Sequence, residues 1–278
     1  MSISNRLFET AIQDLNSAEI LYNSNHYNLA LFQLQQSVEK FVKSFGIKTG
    51  IIKSEDIARK INHLPHKVFS QLYQKQIEEL SELANTPLFI SDMIPPHQRG
   101  KSKRKENLEN LKGLHYKITN VELLKIKEIP TDQIESFIEG AYSLDKEPIF
   151  DDEELFSNFK DDIVKTNKHF IEYFKGNKSI KTLSEDLINK SNEIAKNKVI
   201  THKRETIRES KFAYICYVWI NLSLMTSPHE QSTRYPSTIN DESPQNVYTI
   251  NHNIIKHIPE FIELMRRTIE NYNQIYEN

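Results

Sequence analysis

Apolar side chains recur at steps of three and four residues along most of this chain, and that period is the first constraint on its fold. From Ser4 to Asn23, Leu7, Ala11, Leu15, Ala18 and Tyr22 fall on one face of a helix, with Ser4 available as N-cap. Tyr27, Leu31, Leu34, Val38, Phe41 and Phe45 make a second stripe, and Gly46 marks its expected C-cap. Only Asn23-Ser24-Asn25 separates the two stripes, which predicts an antiparallel helical hairpin. Near the other end, Ile254, Ile258, Phe261, Met265, Ile269, Tyr272 and Tyr276 repeat the pattern from about Gln245 onward, and Pro259 should kink that helix or start it anew. With 6 glycines in 278 residues the chain lacks the turns that sheet proteins need, and no convincing strand of five or more residues is present. The predicted fold class is all-α.

Between the ends the same reading gives a short helix from Ser54 through Ile61 and another after Pro65, carried by Val68, Leu72, Ile77, Leu80 and Leu83. Pro95-Pro96 forbids a helix, and the basic run Arg99, Lys101, Lys103, Arg104 and Lys105 reads as a loop within 88–106. Helices are expected to resume near Leu108 and Val121, then over 133–144, 152–175, 179–197 and 206–226, with the acidic linker 145–154 and the polar loop 227–245 between them. The apolar stretch Phe212–Met225 is too short and too interrupted by Asn221 and Ser223 to span a membrane, and reads as a buried helix. No signal peptide is seen, so a soluble, cytoplasmic protein without a membrane partner is expected.

Charge and cysteine content narrow the chemistry. A formal net charge of −2 predicts no nucleic-acid partner by bulk attraction, so any such partner must meet a local patch. The single cysteine, Cys216, excludes an intramolecular disulfide and a cysteine-based zinc site, and its apolar surroundings read as core. Asp151-Asp152-Glu153-Glu154 suits a helix N-terminus better than a metal. The expected cofactors and metals are none.

The second stripe carries the most specific string in the chain. His26-Tyr27-Asn28-Leu29-Ala30-Leu31-Phe32 runs on into Gln33-Leu34-Gln35-Gln36-Ser37-Val38-Glu39-Lys40-Phe41-Val42-Lys43. It resembles the signature of the HEPN family: a Tyr, then Ala-x-Phe, then Gln-Gln-x-Val-Glu-Lys and a further Lys. Asp14-Leu15 and Ala18-Glu19-Ile20-Leu21 in the preceding helix, Asn62-His63-Leu64, and the downstream Thr233-Arg234-Tyr235-Pro236 agree with it in chain order. The resemblance covers about 1–84 and 206–278. It predicts a HEPN-like up-down helical bundle from those two segments, with 85–205 as an α-helical insertion on which it is silent.

Family resemblance implies two activities. Some HEPN proteins are metal-independent ribonucleases that pair an Arg with a His four to six residues on, across a dimer. The His moves the proton of the 2′-hydroxyl and the Arg stabilises phosphate charge. Others bind nucleotides or pair with a small nucleotidyltransferase. Here Arg234 has no His in the required window; the next is His252. One formal match exists, Arg59 and His66 with six residues between them, and His63 lies one helical turn after Arg59. Arg59, His63 and His66 are thus the catalytic candidates. Lys40 and Lys43 could simply complement the dipole of their helix, or could join Arg234 in a cationic pocket for phosphate. Tyr235 could stack a base or pack on the bundle. Gln35 and Gln36 cannot both face outward, and Glu39 can pair with Lys43 at i,i+4. A second basic stretch, Lys196, Lys198, His202, Lys203, Arg204 and Arg208, and the run at 99–105 could touch RNA phosphates.

The leading expectation is a nucleotide- or RNA-binding HEPN protein of a prokaryotic antiviral defence or toxin–antitoxin system. It would be a homodimer through its helical hairpins, with a nucleotidyltransferase or another defence-system protein as possible partner. The alternatives are a divergent metal-independent HEPN endoribonuclease, and a structural helical adaptor for a partner protein.

Overall fold

Every described regular element is helical. The structure is a computed structural model and describes residues 1–85, 101–120, 129–236 and 242–276, with side chains outside 82–85 and 101–105. In chain order the helices are α1 (Ile3–Asn23), α2 (Tyr27–Lys48), α3 (His66–Asn85), α4 (Lys101–Thr119), α5 (Thr131–Leu144), α6 (Asp152–Tyr173), α7 (Lys178–Asn189), α8 (Ser191–Thr226), the single turns α9 (Pro244–Val247) and α10 (Asn253–Lys256), and α11 (Ile258–Tyr276). The chain is all-α, as its apolar period requires.

The chain divides into two compact units. The first comprises Met1–Glu79, Glu109–Lys146 and Lys211–Asn278. Its frame is the α1–α2 hairpin, closed by Asn25 at φ +61°, a left-handed position that Asn tolerates. Leu15, Leu31, Leu34, Phe41 and Phe45 are fully enclosed, together with Trp219 from α8 and Phe261 from α11. Phe41 and Phe45 lie 5.9 and 5.6 Å from the Trp219 ring, whose Nε1–H donates to Thr268 Oγ1 at 3.0 Å. That bond satisfies the one polar atom of a ring otherwise buried in apolar contact. Ile129, Ile134, Phe137 and Ala141 also enter this core, although the sequence pattern grouped them with the insertion.

The second unit comprises Leu80–Leu108 and Glu147–Ser210. Here α6 packs on α7. Asp151 caps α6 by accepting from the amides of Glu153 and Glu154, and Asp152 pairs with Lys203, so the acidic cluster is spent on a helix start and an ion pair. Ile163, Ala195 and Val199 are its buried apolar residues.

Several local expectations change. Ser2, not Ser4, caps α1; Ser4 is buried and its Oγ donates to the Ser44 carbonyl at 3.0 Å. Gly46 does not end α2, which continues to Lys48, and the left-handed residue is Gly50 at φ +69°. A Cβ on Gly46 would lie 3.0 Å from Val68 Cγ1, so this glycine serves close packing. The basic run already belongs to a helix from Lys101, whereas Pro95-Pro96, Arg99 and the helix expected at Val121 lie outside the described residues. The break expected near 198–205 is absent, and α8 runs unbroken for 36 residues because it holds neither Pro nor Gly. The expected last helix divides into α9, α10 and α11, and Pro259 starts α11 at its second residue.

Candidate functional site

The polar residues of α2 are aligned by its period. Gln35, Glu39 and Lys43 stand four residues apart on one face, with Gln36 and Lys40 beside them. Gln35 and Glu39 are buried. A buried carboxylate is tolerated only when it is paired and hydrogen-bonded. Glu39 is both. Lys43 Nζ donates to its Oε1 at 2.6 Å and Gln35 Nε2 to its Oε2 at 3.0 Å. Gln36 Nε2 donates to Gln35 Oε1 at 2.7 Å, and Lys40 reaches Gln36 Oε1 at 3.4 Å while pairing with Asp14 of α1.

Two other segments complete this network. Ile57–Ile61 forms a turn of π-helix, and the chain reverses at once. Asn62 has φ 50° and ψ −123°, and the Leu64 amide donates to the Ile61 carbonyl at 2.9 Å. These angles and that bond define a type II′ turn with Asn62 where glycine is usual and His63 at the next position. A π-turn and a non-glycine residue at positive φ are both uncommon, and both concentrate at functional sites. Their effect here is to bring His63 Nδ1 to 3.4 Å from Glu39 Oε2 and 3.8 Å from Glu230 Oε1. His63 stays half-exposed.

The third segment is the 3₁₀ turn Ser227–His229 and the turns that follow it, reaching Tyr235. Asn28 Nδ2 of α2 donates to the Thr233 carbonyl at 3.0 Å, which ties this segment to the hairpin. Behind it, Tyr248 OH lies 2.8 Å from both His229 Nδ1 and Ser232 Oγ in a buried cluster. Arg234 donates through Nη2 to Glu230 Oε1 at 3.0 Å and through Nε to the Glu230 carbonyl at 3.2 Å. Its guanidinium lies 4.9 Å from the Phe32 ring centre and 5.2 Å from that of Tyr235.

Thus Lys40, Lys43, His63 and Arg234 meet through one chain of polar contacts, although Arg234 is far from the others in sequence. Each cation already has a carboxylate: Asp14 for Lys40, Glu39 for Lys43 and Glu230 for Arg234. The charges of these three pairs cancel. Glu230 was not singled out in the sequence, although its place four residues before Arg234 was a usable signal.

Arg59 and His66 do not join this group. Arg59 is 77 % exposed and its guanidinium pairs with Asp56 at 2.7 Å. Bonds from Lys60 and Arg59 hold the Asp56 carboxyl below its usual range. His66 is buried at the start of α3, and desolvation, helped by the charge of Lys67, pushes its imidazole down to about 4. The two side chains thus stand in different environments, the imidazole enclosed and the guanidinium facing solvent on Asp56. Cys216 is buried in the core, and that burial pushes its thiol up to about 12.

Among the described residues no group of three or more His, Cys, Asp or Glu side chains is arranged to hold a metal ion, and no helix is long and apolar enough to cross a membrane.

These features define an all-α protein whose polar centre is carried on the second helix of an N-terminal hairpin. The family model of the HEPN domain matches residues 4–89, the stretch that holds α1 through α3. No curated protein and no solved structure matches the chain significantly.

Proposed function

We propose that this protein binds a nucleotide or RNA on the face of α2 that carries Gln35, Glu39, Lys43 and His63, with Arg234 and Tyr235 completing the site. The observation that carries the reading is the convergence of three chain segments on one polar network within a HEPN-type bundle. Phosphate recognition follows from charge exchange. An incoming phosphate takes over Lys43 from Glu39 and adds to Arg234, which keeps its bonds to Glu230. The setting is a cytoplasmic prokaryotic defence or toxin–antitoxin system, with a homodimer formed through the hairpins and a nucleotidyltransferase or another defence protein as partner.

A second reading, a metal-independent endoribonuclease, is favoured by one observation. His63 is held by the Glu39 carboxylate on the same contact chain as Arg234, which supplies a proton carrier and a cation for one phosphodiester.

One experiment tests both. Purified protein is incubated with labelled total tRNA in the presence of EDTA, and binding and cleavage are read together for wild type, Arg234→Ala, His63→Ala and Arg59→Ala/His66→Ala. Binding without cleavage, reduced about tenfold or more by Arg234→Ala and unchanged in the double variant, is expected. Cleavage abolished by His63→Ala favours the nuclease. Binding that none of the substitutions changes sinks the site.

A further inference from the structure

We infer that Tyr235 is a preformed platform for stacking one nucleobase, and that Arg234 braces that platform. The inference rests on the nucleotide- or RNA-binding reading above and assigns the base subsite within it.

Packing against the bundle would bury the Tyr235 ring, yet the residue is 60 % exposed. An exposed tyrosine usually spreads over several rotamers, but the Arg234 guanidinium covers one face of this ring. Arg234 is itself immobilised. Two hydrogen bonds to Glu230 hold it from one side, and the half-buried Phe32 ring lies across it at 4.9 Å. The segment below is anchored by Asn28 on the Thr233 carbonyl and by the buried His229–Tyr248–Ser232 cluster. Phe32, Arg234 and Tyr235 therefore lie in contact on an anchored segment, and the Tyr235 residue keeps 60 % of its surface open. A base that lands there need not order the platform, which lowers the entropic cost of binding.

The chemistry of the surroundings selects the ligand. Leu29, one turn before Phe32, is partly exposed, but with a single ring it makes a patch far smaller than a protein interface needs. A ring of this size suits one planar heterocycle. Every nucleobase has a π-face, so stacking here is tolerant of sequence. The adjoining Lys43, Glu39, His63 and Glu230 network is polar, and suits the sugar-phosphate portion of the same ligand.

The test compares a fluorescein-labelled single-stranded RNA with the same backbone carrying abasic sugars, by fluorescence anisotropy, for wild type, Tyr235→Ala, Tyr235→Trp and Phe32→Ala. Tyr235→Ala should weaken RNA binding about tenfold, as loss of one stacked base does. Tyr235→Trp should bind at least as tightly as wild type, and Phe32→Ala should bind less tightly by loosening the stack. The abasic strand should bind wild type about tenfold more weakly than RNA does, with most of that preference lost in Tyr235→Ala. RNA binding by wild type that Tyr235→Ala leaves unchanged, or equal affinity for the abasic strand, overturns the stacking inference alone. Absence of binding to either strand by wild type overturns the nucleotide- or RNA-binding reading and this inference with it.

Discussion

Among single residues, the two histidines near the start of α3 show how far local environment separates identical side chains. His63 sits half-exposed between two carboxylates, whereas His66, three residues on, is buried without a described partner for Nδ1. Burial disfavours the charged imidazole, and the sign for stability follows from where the proton binds. The folded chain keeps His66 neutral down to about 4, while the unfolded chain protonates it near the ordinary value of 6.5. Between those two values the unfolded state holds more protons, so stability falls as pH falls through that window and is level above it. The loss across the window is about 3 kcal/mol. Urea unfolding at pH 7 and near pH 4 should show this slope, and His66→Phe should remove much of it. An unchanged slope in the variant would mean that His66 is solvated in the folded state.

The helices themselves show one recurring difference between local rules and packing. Glycine after an apolar stripe is the usual sign of a helix end, and Gly46 fits it. The helix continues nonetheless, and the glycine serves packing instead, because a Cβ there would crowd the Val68 and Ile52 side chains at 3.0 and 3.1 Å. Gly46→Ala gains about 1 kcal/mol of helix propensity but overpacks by about 1–3 kcal/mol, so a net loss of about 1 kcal/mol is expected. Val68→Ala should restore room, so a double-mutant cycle measured by urea unfolding should give a favourable coupling of about 1 kcal/mol. Additive effects would show that Gly46 is not held by that contact. The same contrast appears in α8, whose polar stretch suggested a boundary. Polar residues do not break helices, and without Pro or Gly the backbone bonds run on from Ser191 to Thr226.

For the whole molecule, the division into two compact units sets how the chain should unfold. Trp219 is the single tryptophan, is fully buried and reports on the first unit alone. Far-UV circular dichroism reports on the helices of both. A chain of this size with two cores does not generally unfold in one step, so the two signals should give separate midpoints in urea. Native Trp219 emission should be blue-shifted and resistant to acrylamide. Coincident midpoints would instead mean that the two units melt as one.

Much of the first unit was legible from the chain alone, because helical periodicity is a local property. Leu15, Leu31, Leu34, Val38, Phe41, Phe45, Phe261 and Met265 fall on stripes readable from neighbours three and four residues away, and all are buried. The Gln-Gln-x-x-Glu-Lys run on α2 and the pairing of Glu39 with Lys43 are local in the same sense. The meeting of Arg234 with Phe32 is not. Neither is the turn at Asn62 that brings His63 to Glu39, nor the separation of Arg59 from His66 by burial. Each depends on which distant groups share a small volume, and on how that volume treats charge. Side-chain period gives the sequence its helices and their apolar faces. Only the packed tertiary structure decides that Asp14 neutralises Lys40, that Glu39 and Glu230 both face His63, and which aromatic ring remains open to a ligand.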